Sequence, residues 1–285
     1  MAVTFKTLNP DAQIFKELGK NPEWWLKLKN TPSLYIDIRK DNYVNVYFEG
    51  GNIARVHYCS KHKKLQAFIH HKYLGIDAPS KSNIYVDVLD KYNVNEKGGE
   101  NIQIPIDCIL ENVKIYHSQK KKTGDGNTKD KWSETYIKGC LINKNMGIHL
   151  DSEFAYKDEE SDTRIDLVRC DNGVITFVEL KRMDDGRMLH KNDEPAEIIS
   201  QMRGYTSFIK KYKDQILPYY QTLYDIKKSL GLPVPEIRPA TVNPKPLLLI
   251  FDRWVKNTIK REEHRKRVKE SLNRENVEYS IMSDL

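Results

Sequence analysis

The chain has 285 residues, 39% hydrophobic and 31% charged, with a formal net charge of +7 and a pI near 9.0. Such a length suits one large domain or two modest ones, and two are expected; the composition excludes a disordered chain. The four cysteines, Cys59, Cys108, Cys140 and Cys170, form no CxxC pair and read as reduced, mostly buried thiols, which excludes a disulfide scaffold. The basic balance favours polyanions such as nucleic acid over acidic partners. With no apolar leader and no run near 18 apolar residues, no membrane span is expected and the expected compartment is the cytoplasm.

From Pro10 to Lys29 the spacing of Phe15, Leu18, Trp24, Trp25 and Leu28 predicts a helix that Thr31-Pro32 ends. One tryptophan is expected in the core. Ser33–Arg39, Tyr43–Glu49 and Ile53–Tyr58 alternate apolar and polar residues, and Lys40-Asp41-Asn42 and Gly50-Gly51-Asn52 supply turns for an antiparallel meander. Residues 61–115 resist ordering, apart from a helix pattern near Ile84–Tyr92. Gln119–Lys131 is polar, glycine-containing and lysine-rich, and reads as a linker or loop that separates a β-rich domain, 1–118, from a second domain, 130–285.

The second domain is more regular. A helix is predicted at Trp132–Asn143, then strands at His149–Tyr156, Arg164–Cys170 and Val174–Lys181. Helices at Pro195–Tyr212 and Ile216–Leu230 follow, then a fully buried strand at Pro246–Phe251 and a basic amphipathic helix over Arg253–Asn273. The order is αβββα(α)β, an α+β class with a mixed sheet flanked by helices.

Asn172-Gly173 is the preferred pair for a two-residue type I′ hairpin, because both central residues must take positive φ. Such a turn pairs Asp171 with Val174 and, counting outward, sets Asp166 opposite Glu179. Two carboxylates directly opposed on one sheet face repel unless a cation sits between them. Lys181, two residues beyond Glu179, shares that face, while Ile165, Leu167, Val178 and Leu180 take the other. Hard oxygen ligands of this kind suit Mg²⁺ or Mn²⁺, and such an ion with a nearby ammonium suits phosphodiester hydrolysis. A solvated hairpin with acidic and basic residues on its wet side is the alternative.

Thr163-Arg-Ile-Asp166, thirteen residues before Glu179-Leu-Lys181, resembles the PD-(D/E)XK nuclease superfamily, although Ile165 stands where that motif has its nominal proline. Gln201-Met-Arg-Gly-Tyr205, on the helix after the second motif strand, is similar to the Gln-x-x-x-Tyr element of the RecB-like branch. The resemblance covers roughly residues 130–252. It implies a restriction-endonuclease-like core and a Mg²⁺- or Mn²⁺-dependent deoxyribonuclease in which Asp166 and Glu179 bind metal. Lys181 would serve the attacking water or the transition state, and Gln201 and Tyr205 would orient neighbouring groups. A further acidic ligand is implied from the first helix or the strand after it, Glu134 or Glu153, with Glu134 preferred.

Arg182, Arg203, Lys120, Lys121 and Lys122 are the candidate contacts to nucleic acid. DNA is the expected partner and a homodimer is compatible with the sequence. An RNA endonuclease, or a silent nucleic-acid-binding or scaffold module on the same fold, remains an alternative. His57, Cys59 and His62 fall short of a zinc site, since the neighbouring His70-His71 pair lacks a standard ligand spacing.

Overall fold

A computed structural model describes residues 5–74, 85–89, 106–123, 133–157, 162–189, 196–254 and 257–285. Its backbone falls into two compact units. Thr7–Asn143 with Ile226–Leu232 form an amino-terminal unit, and Met1–Lys6, Lys144–Asp225 and Pro233–Leu285 form a carboxy-terminal unit. The class is α+β, with an antiparallel sheet followed by a mixed sheet and flanking helices.

In the amino-terminal unit the single expected helix is two, α1 (Gln13–Gly19) and α2 (Glu23–Lys29). Asn21 takes φ +54° and Pro22 caps α2, so a proline without an N–H starts a new helix where the first could not continue. Ile14, Phe15, Leu18 and Leu28 are buried, and Trp25 is the tryptophan that enters the core.

Strands β1 (Leu34–Arg39), β2 (Tyr43–Phe48), β3 (Gly51–Cys59), β4 (Lys64–His70) and β5 (Tyr85–Asp87) form an antiparallel meander in that order. The second turn lies at Glu49-Gly50, both at positive φ, one residue earlier than the sequence suggests. Ile36, Ile38, Val44, Val46, Ala54, Val56, Ala67 and Ile69 supply the apolar side. The helix expected near Ile84–Tyr92 is corrected at Tyr85–Asp87, which pair with β4 as β5; Val88 and Leu89 are helical, and Ile84 and residues 90–92 lie outside the described residues.

The expected linker is also corrected at its start: helix α3 (Ile106–Thr123) runs through Gln119–Thr123, and the rest of that segment to residue 131 lies outside the described residues. The next helix, α4 (Glu134–Lys144), groups with the amino-terminal unit rather than with the strands that follow it. The cause is a close approach that only glycines allow: a Cβ on Gly139 would lie 2.2 Å from the Gly50 nitrogen, and one on Gly50 would lie 1.8 Å from the Thr135 carbonyl oxygen. Gly139→Ala is therefore expected to cost roughly 2–3 kcal/mol of stability, the scale of overpacking against backbone that cannot yield. Urea denaturation of the variant checks this, and an unchanged midpoint would refute the contact.

The carboxy-terminal unit contains β6 (His149–Lys157), β7 (Asp162–Asp171), β8 (Val174–Arg182), α5 (Glu197–Ser229), β9 (Thr241–Val242), β10 (Leu247–Phe251), α6 (Ile259–Arg274) and β11 (Tyr279–Met282). The sheet order is β11-β10-β8-β7-β6, with β9 on the end of β8. β6, β7 and β8 pair antiparallel, whereas β10 lies parallel to both β8 and β11. Helices α5 and α6 make the two crossovers that parallel pairing requires.

The two helices expected between 195 and 230 are one of 33 residues. Lys213-Asp214-Gln215 contains no helix breaker, and the buried stripe of Phe208, Ile209 and Tyr212 continues through Ile216, Tyr220 and Leu223 past the internal Pro218. Its last residues, from Ile226, belong to the amino-terminal unit. Phe154, Tyr156, Phe177, Phe208, Tyr212 and Tyr220 form an aromatic core between sheet and helix.

Helix α6 starts at Ile259, where the Thr258 side chain accepts from the Arg261 N–H, and buries only Val268, Ser271 and Leu272. Of the four cysteines only Cys170 is buried; Cys108 is exposed, and Cys59 and Cys140 lie between. No helix among the described residues is long and apolar enough to cross a membrane.

Candidate active site

The β7–β8 turn is built by Asn172 (φ +48°) and Gly173 (φ +77°). From there the ladder runs from Asp171 opposite Val174 to Leu167 opposite Val178 without a shift, which sets Asp166 level with Glu179 one step further on. At that step the ladder opens, and the Asp166 side chain accepts from the Leu180 backbone N–H at 3.1 Å.

Glu179 is 3% exposed and Lys181 2%. Lys181 Nζ donates to Glu179 Oε1 and, at 3.2 Å, to the Leu180 carbonyl. From α5, Gln201 Nε2 donates to the same Glu179 oxygen at 2.9 Å and to the Tyr205 hydroxyl at 2.6 Å. Tyr205, one turn further along the same helix face, directs its hydroxyl at Glu179 Oε2 (3.1 Å) and at the Arg164 carbonyl. Asp166, Glu179, Lys181, Gln201 and Tyr205 are thus brought together, and both oxygens of Glu179 are held from two elements.

Burial, and then the charge of Asp166, push the Glu179 carboxyl above the ordinary carboxylate range, while the Lys181 ammonium and the Tyr205 hydroxyl oppose them. Burial beside Glu179 likewise raises the Tyr205 phenol, so it serves as a proton donor in hydrogen bonds and not as a base.

The third acidic ligand does not follow as expected. Glu153 lies at the same level as Asp166, because β6 pairs Ser152 with Leu167 and Phe154 with Ile165. The pairing lapses there, Glu153 takes φ +51° and its side chain is exposed. Glu134 sits in the first turn of α4, in the amino-terminal unit. Among the described residues, no cluster of three His, Cys, Asp or Glu side chains could hold one ion. Asp166 and Glu179, level with one another on neighbouring strands, are the oxygen ligands that a hard divalent cation keeping several waters would take.

Of the expected nucleic-acid contacts, Arg182 is held by Asp184 (2.9 and 3.2 Å) and Arg203 by Glu275. Lys120, Lys121 and Lys122 lie on the last turns of α3, and their side chains fall outside the described residues. His57 is hydrogen-bonded to Gln66 and stacked on Phe68.

Two further cations border the site, one of them, Arg164, 3.7 Å from the Asp162 carboxylate. A groove of about 680 Å³ opens beside Gln201 and Tyr205, with Arg164 and Lys211 on its walls. Arg164 shares a strand face with Asp166, a period-two signal that could have singled it out. Asp185 is a further neighbour: its carboxyl is held down to about 2, chiefly by hydrogen bonds from Arg187, with Lys181 contributing. Comparison with family models, curated proteins and solved structures yields no match, so the side-chain geometry carries the functional argument.

Proposed function

We propose that the carboxy-terminal unit is a metal-dependent nuclease of the PD-(D/E)XK type that hydrolyses DNA phosphodiester bonds. The observation that carries this reading is the convergence of Gln201 and Tyr205 on the carboxylate of Glu179, beside Asp166 and Lys181. An inert hairpin has no need to bury one carboxylate level with another and then orient it from a separate helix.

Asp166 and Glu179 would hold Mg²⁺ or Mn²⁺, which when bound polarises the scissile phosphate and acidifies a water molecule. Gln201 and Tyr205 fix the Glu179 carboxylate in advance, so little reorganisation is left for the moment of reaction. Lys181, anchored on Glu179 and the Leu180 carbonyl, provides a cation for the charge that develops on the phosphoryl oxygens. Arg164 and Lys211 offer positive charge to the flanking phosphates of the strand. Hydrolysis forms a bond from water oxygen to phosphorus, breaks the bond to the departing sugar oxygen, and passes one proton from the water, through solvent, to that oxygen.

Plasmid, linear and single-stranded DNA, incubated with the protein in Mg²⁺, Mn²⁺ or EDTA, test the reading. Cleavage in either metal is expected, and Lys181→Ala is expected to reduce its rate by about 10²-fold, the effect of removing one preorganised charge donor. Equal inertness of wild type and variant would replace the nuclease with a nucleic-acid-binding module. Parallel RNA substrates assign the polymer.

A further inference from the structure

The amino-terminal sheet has a second, polar and aromatic face, buried over β1 and most of β2 and open towards β3, β4 and β5. On it Asn45, Arg55, Phe68 and Asp87 occupy consecutive register positions across β2, β3, β4 and β5, beside Tyr43, His57 and Tyr85. The Arg55 guanidinium lies 3.9 Å from the centroid of the Tyr43 ring. His57 stacks on Phe68 at 5.1 Å with the rings 5° from parallel, and Tyr85 is 58% exposed. All of these residues except Asp87 line a groove of about 900 Å³ that also reaches Tyr58 and Ser60, at the β3–β4 hairpin end.

Two observations indicate what the groove takes. Asn45 is only 9% exposed and lines the groove, yet its carbonyl Oδ1 has no hydrogen-bond partner, although its amide nitrogen donates to the Tyr47 hydroxyl. A buried acceptor of this kind calls for an incoming N–H or O–H donor. The second observation is charge. From Gly50 to Ile76 the chain has no Asp or Glu, but it carries Arg55, Lys61, Lys63, Lys64 and Lys72, of which Arg55, Lys61 and Lys63 are exposed. Among the described residues Asp41 is the one carboxylate on the groove lining, and Asp87, further across the same face, is held by the Gln66 amide and the Ala67 N–H.

Flat rings for stacking, a buried acceptor for a ring or exocyclic N–H, and a cationic end without acids describe the chemistry of nucleotides. An acidic peptide would satisfy the lysines but not the rings or Asn45, and a duplex hides the base faces. We infer that this groove is a binding site for a short segment of single-stranded nucleic acid, bases on Tyr43, Phe68 and Tyr85 and phosphates towards Arg55 and the Lys61–Lys63 tip. The inference is independent of the proposed nuclease chemistry, because every described lining residue belongs to the amino-terminal unit.

The test is fluorescence anisotropy of the full chain with labelled 12-nucleotide DNA and RNA single strands, the matching duplexes and a labelled poly-glutamate, all in EDTA so that no cleavage intervenes. At least one single strand is expected to bind more tightly than its duplex and than poly-glutamate. Tyr85→Ala and Arg55→Ala, both at exposed positions, are each expected to weaken it about five-fold or more. Lys245→Ala, at an exposed position of the other unit with no part in either site, is expected to change it by less than about two-fold. Should either groove variant lose its thermal transition, Lys61→Glu/Lys63→Glu at the hairpin tip replaces it, with a weaker affinity and a shallower salt dependence expected. The inference is overturned if no single strand binds, if duplex or poly-glutamate binds as well, or if the groove variants keep full affinity.

Discussion

Asp166→Asn is expected to lower metal-dependent cleavage by at least about 10³-fold and, in the same preparation, to raise the thermal midpoint measured in EDTA by roughly 2–4 °C. The two effects have one cause. As a carboxylate, Asp166 raises the Glu179 carboxyl level with it on the next strand, so without a cation the pair opposes folding. Asparagine removes that charge and still offers an oxygen to the Leu180 N–H, which Asp166 accepts at 3.1 Å. Relief of one cross-strand repulsion is worth roughly 1 kcal/mol, which a unit of this size translates into a few degrees. The loss of rate follows because a bound metal supplies several kcal/mol of transition-state stabilisation, and about 4 kcal/mol corresponds to 10³-fold. Cleavage rates and melting curves on wild type and variant decide it. A variant that is both inactive and less stable would mean that the Asp166 charge is a structural requirement, and the case for a cation between the carboxylates would fail.

That pairing was legible before any coordinates because a single local rule governs it. Asn172-Gly173 admits one tight turn, the turn admits one register, and the register aligns Asp166 with Glu179. Gln201 and Tyr205 were legible for a similar reason, since four residues on a helix return to the same face.

The features that escaped depend on partners far away in the chain. Nothing within Glu134–Lys144 signals that Gly139 must meet Gly50, so α4 was grouped with the wrong domain. Arg203 reads as a free cation until Glu275, 72 residues on, is found beside it. Lys213, Asp214 and Gln215, between the two expected helices, are exposed, and polar residues on the wet side of a long helix do not end it. Glu153 shows the opposite failure. Its level was derivable from the β6–β7 register, but the positive φ that accompanies its exposed side chain was not.

Withdrawal of divalent cations at pH 8 is expected to abolish cleavage, a loss of at least about 10³-fold, and the cation's effect on stability is expected to grow with pH. In the metal-free protein the Glu179 carboxyl is raised above its unfolded value by burial and by Asp166. Its contribution to stability is therefore fully present below the unfolded value, near pH 4.5, and is lost as pH rises through the elevated folded value. A cation binds the ionised pair, so it has little to stabilise at acidic pH and most to stabilise where both carboxylates are charged. At a concentration 100 times its dissociation constant it would add about 2.7 kcal/mol. Melting curves in Mg²⁺ and in EDTA from pH 5 to pH 8 measure this directly. For wild type the gain from Mg²⁺ should widen steadily over that range, and for Asp166→Asn it should stay small throughout. A gain that is flat with pH, or equal in the two proteins, would place any bound cation away from Asp166 and Glu179 and would remove the basis for assigning them the metal.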